Sequence, residues 1–194
     1  MRYTAEHKAQ NHEKILSTAA RSFRERGGDS SGIGTVMRKV GLKKGGFYRH
    51  FKSKDDLFVE AVARALDETG RGMEEVAKSA PEGQALRAII ERYLSVGHAN
   101  SPGSGCVRAA LGPEIARKPA PVRKKIEGLL EAYRERLSPF FPGRTREDRL
   151  AQCRVLFPSM AGVLMMIRVS PDPQTRAQRL EEARQFFIKS FVER

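Results

Sequence analysis

Apolar side chains recur along most of the chain with the spacing of amphipathic helices. In the first segment Ile15, Ala19 and Phe23 are four residues apart and share one helix face. Similar stripes follow, and no segment alternates apolar and polar residues as a half-buried strand does. Clusters of glycine, proline and serine, from GGDSSG to SPDPQ, interrupt the pattern. The sequence therefore predicts an all-α protein of about nine helices joined by short loops.

The most apolar stretch is VLFPSMAGVLMMI, residues 155–167. It carries no charge, but it contains Pro158 and is shorter than the roughly 20 residues that a helix needs to cross a bilayer. We therefore expect a buried helix here and no membrane partner. The opening segment MRYTAEHKAQNHEK lacks the apolar core of a signal peptide, so we expect a cytoplasmic protein.

The chain has two cysteines, Cys106 and Cys153, and no CxxC motif. Two isolated cysteines do not make a metal site or a disulfide framework. We expect both to be thiols, and we expect no metal and no cofactor.

The net charge of +13 is concentrated at the N-terminus. Residues 1–54 carry 13 basic and 4 acidic side chains, whereas residues 55–194 carry 23 and 19. A local excess of this kind favours a polyanionic partner such as nucleic acid.

The basic segment contains GLKKGGFYRHF, residues 41–51, after a short apolar helix. A helix, a glycine turn at Gly41 and a second helix form the helix-turn-helix arrangement. At 100° per residue Phe47 and Phe51 lie on one side of the second helix, and Gly45, Gly46 and Arg49 lie on the other. The phenylalanines would anchor the helix in the core. The bare glycine backbone would let the opposite face approach a groove of DNA closely.

Three more side chains, Lys44, Tyr48 and His50, flank this outward face and are candidates for phosphate contacts. His50 is equally compatible with a surface position that has no partner. Ser53 followed by Asp56 predicts a capping box that begins the next helix. Lys54 would then lie at a positive helix end, where phosphate is a natural ligand.

The segment MRKVGLKKGGFYRHFKSKDDLF, residues 37–58, resembles the DNA-binding domain of the TetR family of bacterial transcriptional regulators. The resemblance implies a three-helix DNA-binding domain in residues 1–54 and a larger helical effector-binding and dimerisation domain in residues 55–194. It also implies a homodimer that binds double-stranded, pseudo-palindromic operator DNA, more often as a repressor than as an activator, and that a small-molecule effector releases.

The resemblance further implies which residues contact DNA. The DNA-facing set would be Gly45, Gly46, Tyr48, Arg49, His50 and Lys54, with backbone contacts from Ser31, Thr35, Lys43 and Lys44. Members usually place Ser or Thr where Lys43 stands, so we expect the recognition helix to lack a side-chain cap.

The remaining residues predict an interior and a dimer seam. The apolar stripes of successive helices would enclose an effector pocket that suits an apolar or aromatic ligand, although core packing is the better explanation of any single methionine. Its expected walls are Tyr93, Gly97, Cys106, Ala110, Tyr133, Phe157 and Met160. Phe186, Phe187 and Phe191 cover more than one side of their helix, which favours a seam made with the helix that contains Gly162.

Cys106 allows more than one interpretation. SPGSGCVRAAL predicts a helix start capped by Ser104, and a first-turn thiol could be a reactive sensor, but a small buried residue in the cavity wall is the favoured interpretation. An enzyme with Cys106 as nucleophile and His98 as base lacks an acidic partner and any recognised catalytic motif. That hypothesis also leaves the N-terminal basic cluster unexplained. A helical interaction module would become the alternative if the protein neither hydrolysed esters nor bound duplex DNA. We therefore expect a protein without catalytic residues.

Overall fold

The computed structural model describes residues 5–193 and contains nine α-helices, three short 3-10 helices and no strand within that range. The α-helices are α1 (Ala5–Arg26), α2 (Ile33–Lys39), α3 (Lys54–Ser79), α4 (Ala85–Tyr93), α5 (Val96–Asn100), α6 (Val107–Arg117), α7 (Ala120–Leu137), α8 (Arg146–Ile167) and α9 (Pro173–Phe191). The 3-10 helices are Lys44–Arg49, Pro102–Ser104 and Ser138–Phe140. The predicted all-α class and helix number are confirmed.

Residues 5–53, which we call the head, contain α1, α2 and the 3-10 helix Lys44–Arg49. α1 ends before Gly27, which takes a φ of +84°, and α2 is followed by Gly41 at +73°. Glycine adopts these positive φ values without the clash that a Cβ would cause. The break predicted at GGDSSG, which begins with Gly27, and the turn predicted at Gly41 are both confirmed.

The head is closed by a small apolar core. Ile15 and Phe23 of α1 and Met37 of α2 are buried together with Phe47 and Phe51. Burial of large side chains of this kind is the main stabilising contribution, at about 1.5–3 kcal/mol each. The segment after the turn is thus held to α1 and α2 by its two phenylalanines, as the sequence predicts.

Residues 54–193, which we call the larger unit, begin with the long helix α3, which follows the head directly. Ser53 Oγ accepts a hydrogen bond from Asp56 N at 3.0 Å, so the serine part of the predicted cap is present. α3 then packs against α1, α4 and α7 along its 26 residues. The predicted domain boundary, between residues 54 and 55, falls in the first turn of this helix and stays a prediction.

The larger unit is built around α8, whose inner face is the centre of the core. α8 begins with a capping box, in which Thr145 N donates to Asp148 Oδ2 at 2.9 Å and Asp148 N donates to Thr145 Oγ1 at 3.0 Å. Phe157 lies near its middle and is fully buried. Both α6 and α8 contain an internal proline, Pro113 and Pro158, which removes one backbone hydrogen bond from each helix.

The outer face of α8 differs from the prediction of a buried helix. Leu156, Met160 and Leu164 are buried as expected, but Val155 is 58% exposed and Met166 is 59% exposed. α8 has 22 residues and contains an 18-residue window with a mean hydropathy of 1.6, so it is also long and apolar enough to cross a bilayer. A helix in the core of a protein passes the same test, and the inner face of α8 is packed against other helices. The expectation of a buried helix is therefore correct for one face of α8 and wrong for the other.

The positive φ of Gly41 leads to a prediction about stability. An added Cβ would have open space at both Gly41 and Gly45, but only Gly41 has a positive φ. Gly41→Ala should lower the free energy of unfolding in urea by about 1–2 kcal/mol, because a Cβ is strained in this region. Gly45→Ala is the matched control and should be neutral or slightly stabilising. Equal losses in the two variants would contradict the assignment of strain to the turn.

Candidate functional site: a nucleic-acid interface and a buried interior

The segment after the glycine turn is a 3-10 helix rather than the α-helix assumed from the sequence. Gly46 N donates to the Lys43 carbonyl and His50 N to the Phe47 carbonyl, each at 2.9 Å and each spanning three residues. Lys43 stands at the N-cap and makes no side-chain cap, as expected from its departure from serine or threonine. Two glycines and a missing cap weaken an α-helix, which favours the tighter form in a short segment.

The outward face of this segment is open to solvent. Tyr48 is 71% exposed, and Lys43, Lys44 and Arg49 are exposed beside it. Gly45 is also exposed, and a Cβ added there would meet nothing within 4 Å. Basic side chains, a phenol and bare backbone therefore form one surface above the anchoring phenylalanines. Such a surface can approach a polyanion closely.

Two residues predicted for this face lie elsewhere. Ser31 is 3% exposed and its hydroxyl donates to the Ser22 carbonyl at 3.3 Å, so it is a buried link to α1 and not a phosphate ligand. Gly46 is half-buried, and a Cβ there would lie 3.7 Å from Met37 Cε, so it is partly covered by α2. Thr35, in the first turn of α2, keeps partial exposure.

His50 turns toward the inside of the head. Its Nδ1 is shielded from solvent without a hydrogen-bond partner, and its ring centroid is 6.1 Å from that of His12. Burial lowers the pKa of His50, and the nearby His12 lowers it further. His12, which was not predicted from the sequence, stacks on Phe51 with ring centroids 4.5 Å apart, and its Nε2 lies 3.1 Å from Glu60 Oε2. His50 therefore belongs with this histidine cluster more than with the outward face.

Lys54, predicted to hold a phosphate, has partners within the protein. Its Nζ donates to the Asp29 carbonyl at 3.2 Å and lies 3.7 Å from Asp29 Oδ1. The same carboxylate accepts a hydrogen bond from Lys118 Nζ at 2.9 Å, and this bond holds the pKa of Asp29 below its usual value. Asp29 of the head thus bridges Lys54 at the start of α3 and Lys118 at the end of α6, and a phosphate would have to compete with Asp29 for Lys54.

A buried carboxylate on α6 completes this link, which we call the α6 latch (Gly28, Asp29, Lys54, Glu114 and Lys118). Glu114 Oε2 accepts a hydrogen bond from Gly28 N at 2.7 Å, and Lys118 Nζ is 3.4 Å from Glu114 Oε1. A Cβ on Gly28 would lie 2.6 Å from that Oε1 atom, so the close approach requires glycine. Sequence analysis missed the latch because its members are up to 90 residues apart.

The predicted interior is largely assembled. Tyr93, Cys106, Tyr133, Phe157 and Met160 are all buried. The Tyr133 and Phe157 ring centroids are 5.2 Å apart, and those of Tyr93 and Phe157 are 6.0 Å apart. The Tyr93 hydroxyl is 2.8 Å from Cys106 Sγ. These side chains from α4, the N-cap of α6, α7 and α8 therefore face one another.

Two members of the predicted wall behave differently from the rest. Ala110 is half-buried and packs against the core, but Gly97 is exposed on α5 and does not line the interior. Four cavities of about 120 to 480 Å³ lie around the larger unit, and Tyr133 is the only member of the predicted wall that lines any of these four. The interior itself is occupied by its own side chains, with a cleft beside Tyr133.

The environment of Cys106 also differs from the prediction. Cys106, not Ser104, is the N-cap of α6, and its Sγ accepts from Ala109 N at 3.4 Å. Ser104 belongs to the preceding 3-10 helix. His98 Nδ1 is hydrogen-bonded to the Tyr93 carbonyl at 2.6 Å and its pKa is lowered by burial, so it forms no nucleophile–base pair with Cys106. Burial raises the pKa of Cys153 to about 12, which keeps it a thiol.

The expected seam residues fall into two groups. Phe187 is buried and Phe191 packs against the core, so neither is surplus, whereas Phe186 is 65% exposed. On α8 Gly162 is half-buried, and a Cβ there would meet nothing within 4 Å. The apolar surface available for a partner is therefore formed by Phe186 and the outer face of α8.

The α6 latch leads to a prediction about stability. Glu114→Ala should lower the free energy of unfolding by about 1–3 kcal/mol, because it leaves the buried Gly28 amide without an acceptor. Glu127 on α7 is exposed, and Glu127→Ala should change stability by less than about 0.5 kcal/mol. Urea denaturation measures both. A Glu114→Ala loss no larger than that of the control would show that the latch does not stabilise the fold.

Comparison with known proteins agrees with this geometry. Residues 15–61 match the family model described as bacterial regulatory proteins, tetR family. YfiR of Bacillus subtilis, an uncharacterized HTH-type transcriptional regulator, is 33% identical over 91 residues, which are 47% of this chain and 42% of YfiR. The transcriptional activator FasR of Mycolicibacterium smegmatis is 26% identical over 91 residues, 46% of this chain and 42% of FasR. These two alignments span less than half of either relative.

Solved structures extend the likeness to the whole fold. A TetR transcriptional regulator from Chloroflexus aurantiacus matches with a TM-score of 0.72 and 21% identity, over 95% of this chain and 97% of that one. At this identity the match establishes the fold, with its helix-turn-helix head and larger helical unit. Head and fold lead to the same conclusion: residues 15–61 resemble the DNA-binding segment of the bacterial tetR regulatory proteins, and the chain has the fold of a solved TetR transcriptional regulator.

Proposed function

We propose that this protein is a ligand-responsive transcriptional repressor that binds a pseudo-palindromic operator as a homodimer in the cytoplasm. The observation that carries the proposal is the exposed surface of Lys43, Lys44, Tyr48 and Arg49 on a segment anchored by buried phenylalanines. A solvated surface helix needs no glycine at its tip, whereas close approach to a DNA groove does. The charge excess of residues 1–54 supports the same partner.

Within this surface we assign different tasks to different side chains. Arg49 reads a base edge in the major groove, where guanidinium groups bind guanine. Tyr48, Lys43 and Lys44 hold phosphates and fix the position of the head. Lys54 and the N-terminus of α3 form a further phosphate site, because the helix end carries partial positive charge. This site is secondary, because the Lys54 ammonium is already bonded to Asp29.

The homodimer follows from the need for specificity and from the exposed surface of α8. One head reads only a few base pairs, so two heads are needed to select an operator in a genome. The outer face of α8 and Phe186 of α9 expose large apolar side chains, which a second copy of the chain would cover. These side chains are Val155, Met165, Met166 and Phe186.

The effector acts through the buried interior of the larger unit. α6 begins beside that interior at Cys106 and ends at the α6 latch, so a ligand that shifts α6 also shifts the head. Such a ligand changes DNA affinity only if it prefers one head arrangement over the other. Cys106 is buried and hydrogen-bonded to Tyr93, which supports its role as a wall residue over that of an exposed sensor. Repression is the commoner mode in the family, although the relative FasR is named an activator.

The assignment of tasks on the head is tested by alanine variants. Arg49→Ala should weaken operator binding by about 1–3 kcal/mol and relax preference at one base pair, whereas Lys44→Ala should weaken all sequences alike and lower the salt slope by about one. Lys124, exposed on α7, provides a control in Lys124→Ala. Fluorescence anisotropy over a salt series measures each variant. Unchanged affinity and preference in Arg49→Ala would exclude Arg49 from base recognition.

The dimer is tested by a charge on α8. Gly162→Glu should give monomers in sedimentation and lose operator binding, because a carboxylate would be buried against the apolar partner surface. Gly128 on α7 is exposed and also has open space, so Gly128→Glu should remain dimeric. A Gly162→Glu protein that is dimeric and binds operator normally would exclude α8 from the interface.

A further inference from the structure

The interior contains a guanidinium group that sequence analysis did not single out. Arg108, in the first turn of α6, places its Cζ atom 4.5 Å from the centroid of the Tyr133 ring and 5.5 Å from that of Phe157. Its Nη2 atom is shielded from solvent and has no hydrogen-bond partner. Both rings belong to the predicted effector interior, so Arg108 lies at that site.

No ion pair within residues 5–193 involves Arg108. The two other arginines near Cys106 are provided with acceptors. Arg24 donates to the Ala20 and Gly105 carbonyls and lies 3.7 Å from a Glu68 oxygen. Arg168 donates to the Ala99 carbonyl at 3.0 Å and to the His98 carbonyl at 3.3 Å. The lack of an anionic or carbonyl acceptor at Arg108 therefore distinguishes it from its neighbours.

The position of Arg108 makes an unpaired charge unfavourable for two reasons. A cation in the first turn of a helix is repelled by the positive end of the helix dipole. A shielded guanidinium donor without an acceptor also loses its hydration, and the cation–π contacts with Tyr133 and Phe157 compensate for only part of that loss. An anion placed beside Arg108 would interact favourably with both the side chain and the helix end.

The surroundings of Arg108 restrict the kind of anion. Tyr133, Phe157 and the neutral Cys153 thiol present mainly apolar surface. Tyr133 also lines a cleft of about 120 Å³ between α3 and α7, where the apolar residues Ala63, Leu66, Leu129 and Ala132 lie beside the ion pair of Asp67 and Arg136. An apolar cavity of about 150 Å³ holds a benzene molecule. Space and lining therefore suit a small apolar body, and the guanidinium suits a carboxylate.

We infer that the effector is a small apolar carboxylic acid, whose carboxylate pairs with Arg108 while its apolar part displaces Tyr133 toward the neighbouring cleft. The inference rests on the proposed function, because it takes the buried interior to be the effector site. To the proposed function it adds the class of the effector, a carboxylic acid, and its counter-ion, Arg108. A carboxylate pairs with a guanidinium through two parallel hydrogen bonds, a geometry that neutral ligands of the same shape do not offer.

Matched acids and amides test the inference. Thermal shift and calorimetry are run with benzoate and benzamide, 1-naphthoate and 1-naphthamide, and octanoate and octanamide. At least one acid should bind at least tenfold more tightly than its amide. Arg108→Gln should abolish that difference and leave amide affinity within about twofold. Arg92, exposed on α4, provides the control Arg92→Gln, which should keep the preference for the acid.

Each outcome distinguishes the inference from the proposed function. The inference is overturned if no acid is preferred over its amide in the parent protein, or if the preference survives in Arg108→Gln. If Arg108→Gln fails to fold, Arg108→Lys replaces it, and it should retain part of the preference because it retains the charge but loses the paired geometry. Operator binding by the unliganded protein is measured separately, and its absence would contradict the proposed function, whatever the acids do.

Discussion

The hydrogen bond from Gly28 N to the buried carboxylate of Glu114 is the constraint that joins the two units of this protein. The bond requires glycine at position 28, because a Cβ there would clash with the Glu114 carboxylate. Lys118 at the end of α6 compensates for the negative charge of Glu114. A buried carboxylate without such partners would be strongly destabilising. The position of the head relative to the larger unit is therefore set by polar contacts as well as by the apolar packing of α1 on α3.

The same helix connects the proposed effector site to the head. Arg108 and Glu114 are six residues apart on α6, roughly 9 Å along the axis at 1.5 Å per residue. A ligand beside Arg108 in the first turn and the head, which is bonded to Glu114 in the last turn, therefore contact the same short helix. This arrangement needs no long chain of intermediate residues to carry a change from the interior to the DNA-binding surface.

Local patterns in the sequence were sufficient wherever the structure is decided locally. The helical period, Gly27, Gly41 and the anchoring phenylalanines were all predictable, and so was the exposure of Tyr48 and Arg49. The partners of Ser31 and Lys54 within the protein could not be predicted, because they come from α1 and from the loop after it. Whether a polar residue is free or already bonded depends on contacts across the fold, which a period or a motif does not contain. Arg108 could not be predicted for the same reason, because its unusual feature is that its Nη2 atom has no hydrogen-bond acceptor in the folded protein.

Pro113 lies between Arg108 and Glu114 and affects how easily α6 bends when one of its ends is displaced. Proline has no amide hydrogen, so the carbonyl of Ala109, one turn earlier, receives no backbone hydrogen bond from it, and the ring crowds that carbonyl. α6 is therefore easiest to bend between Arg108, which lies at the effector interior, and Glu114, which is bonded to the head. Bending there costs less than bending elsewhere in the helix, so a displacement at one end reaches the other partly as a change of angle and only partly as a translation.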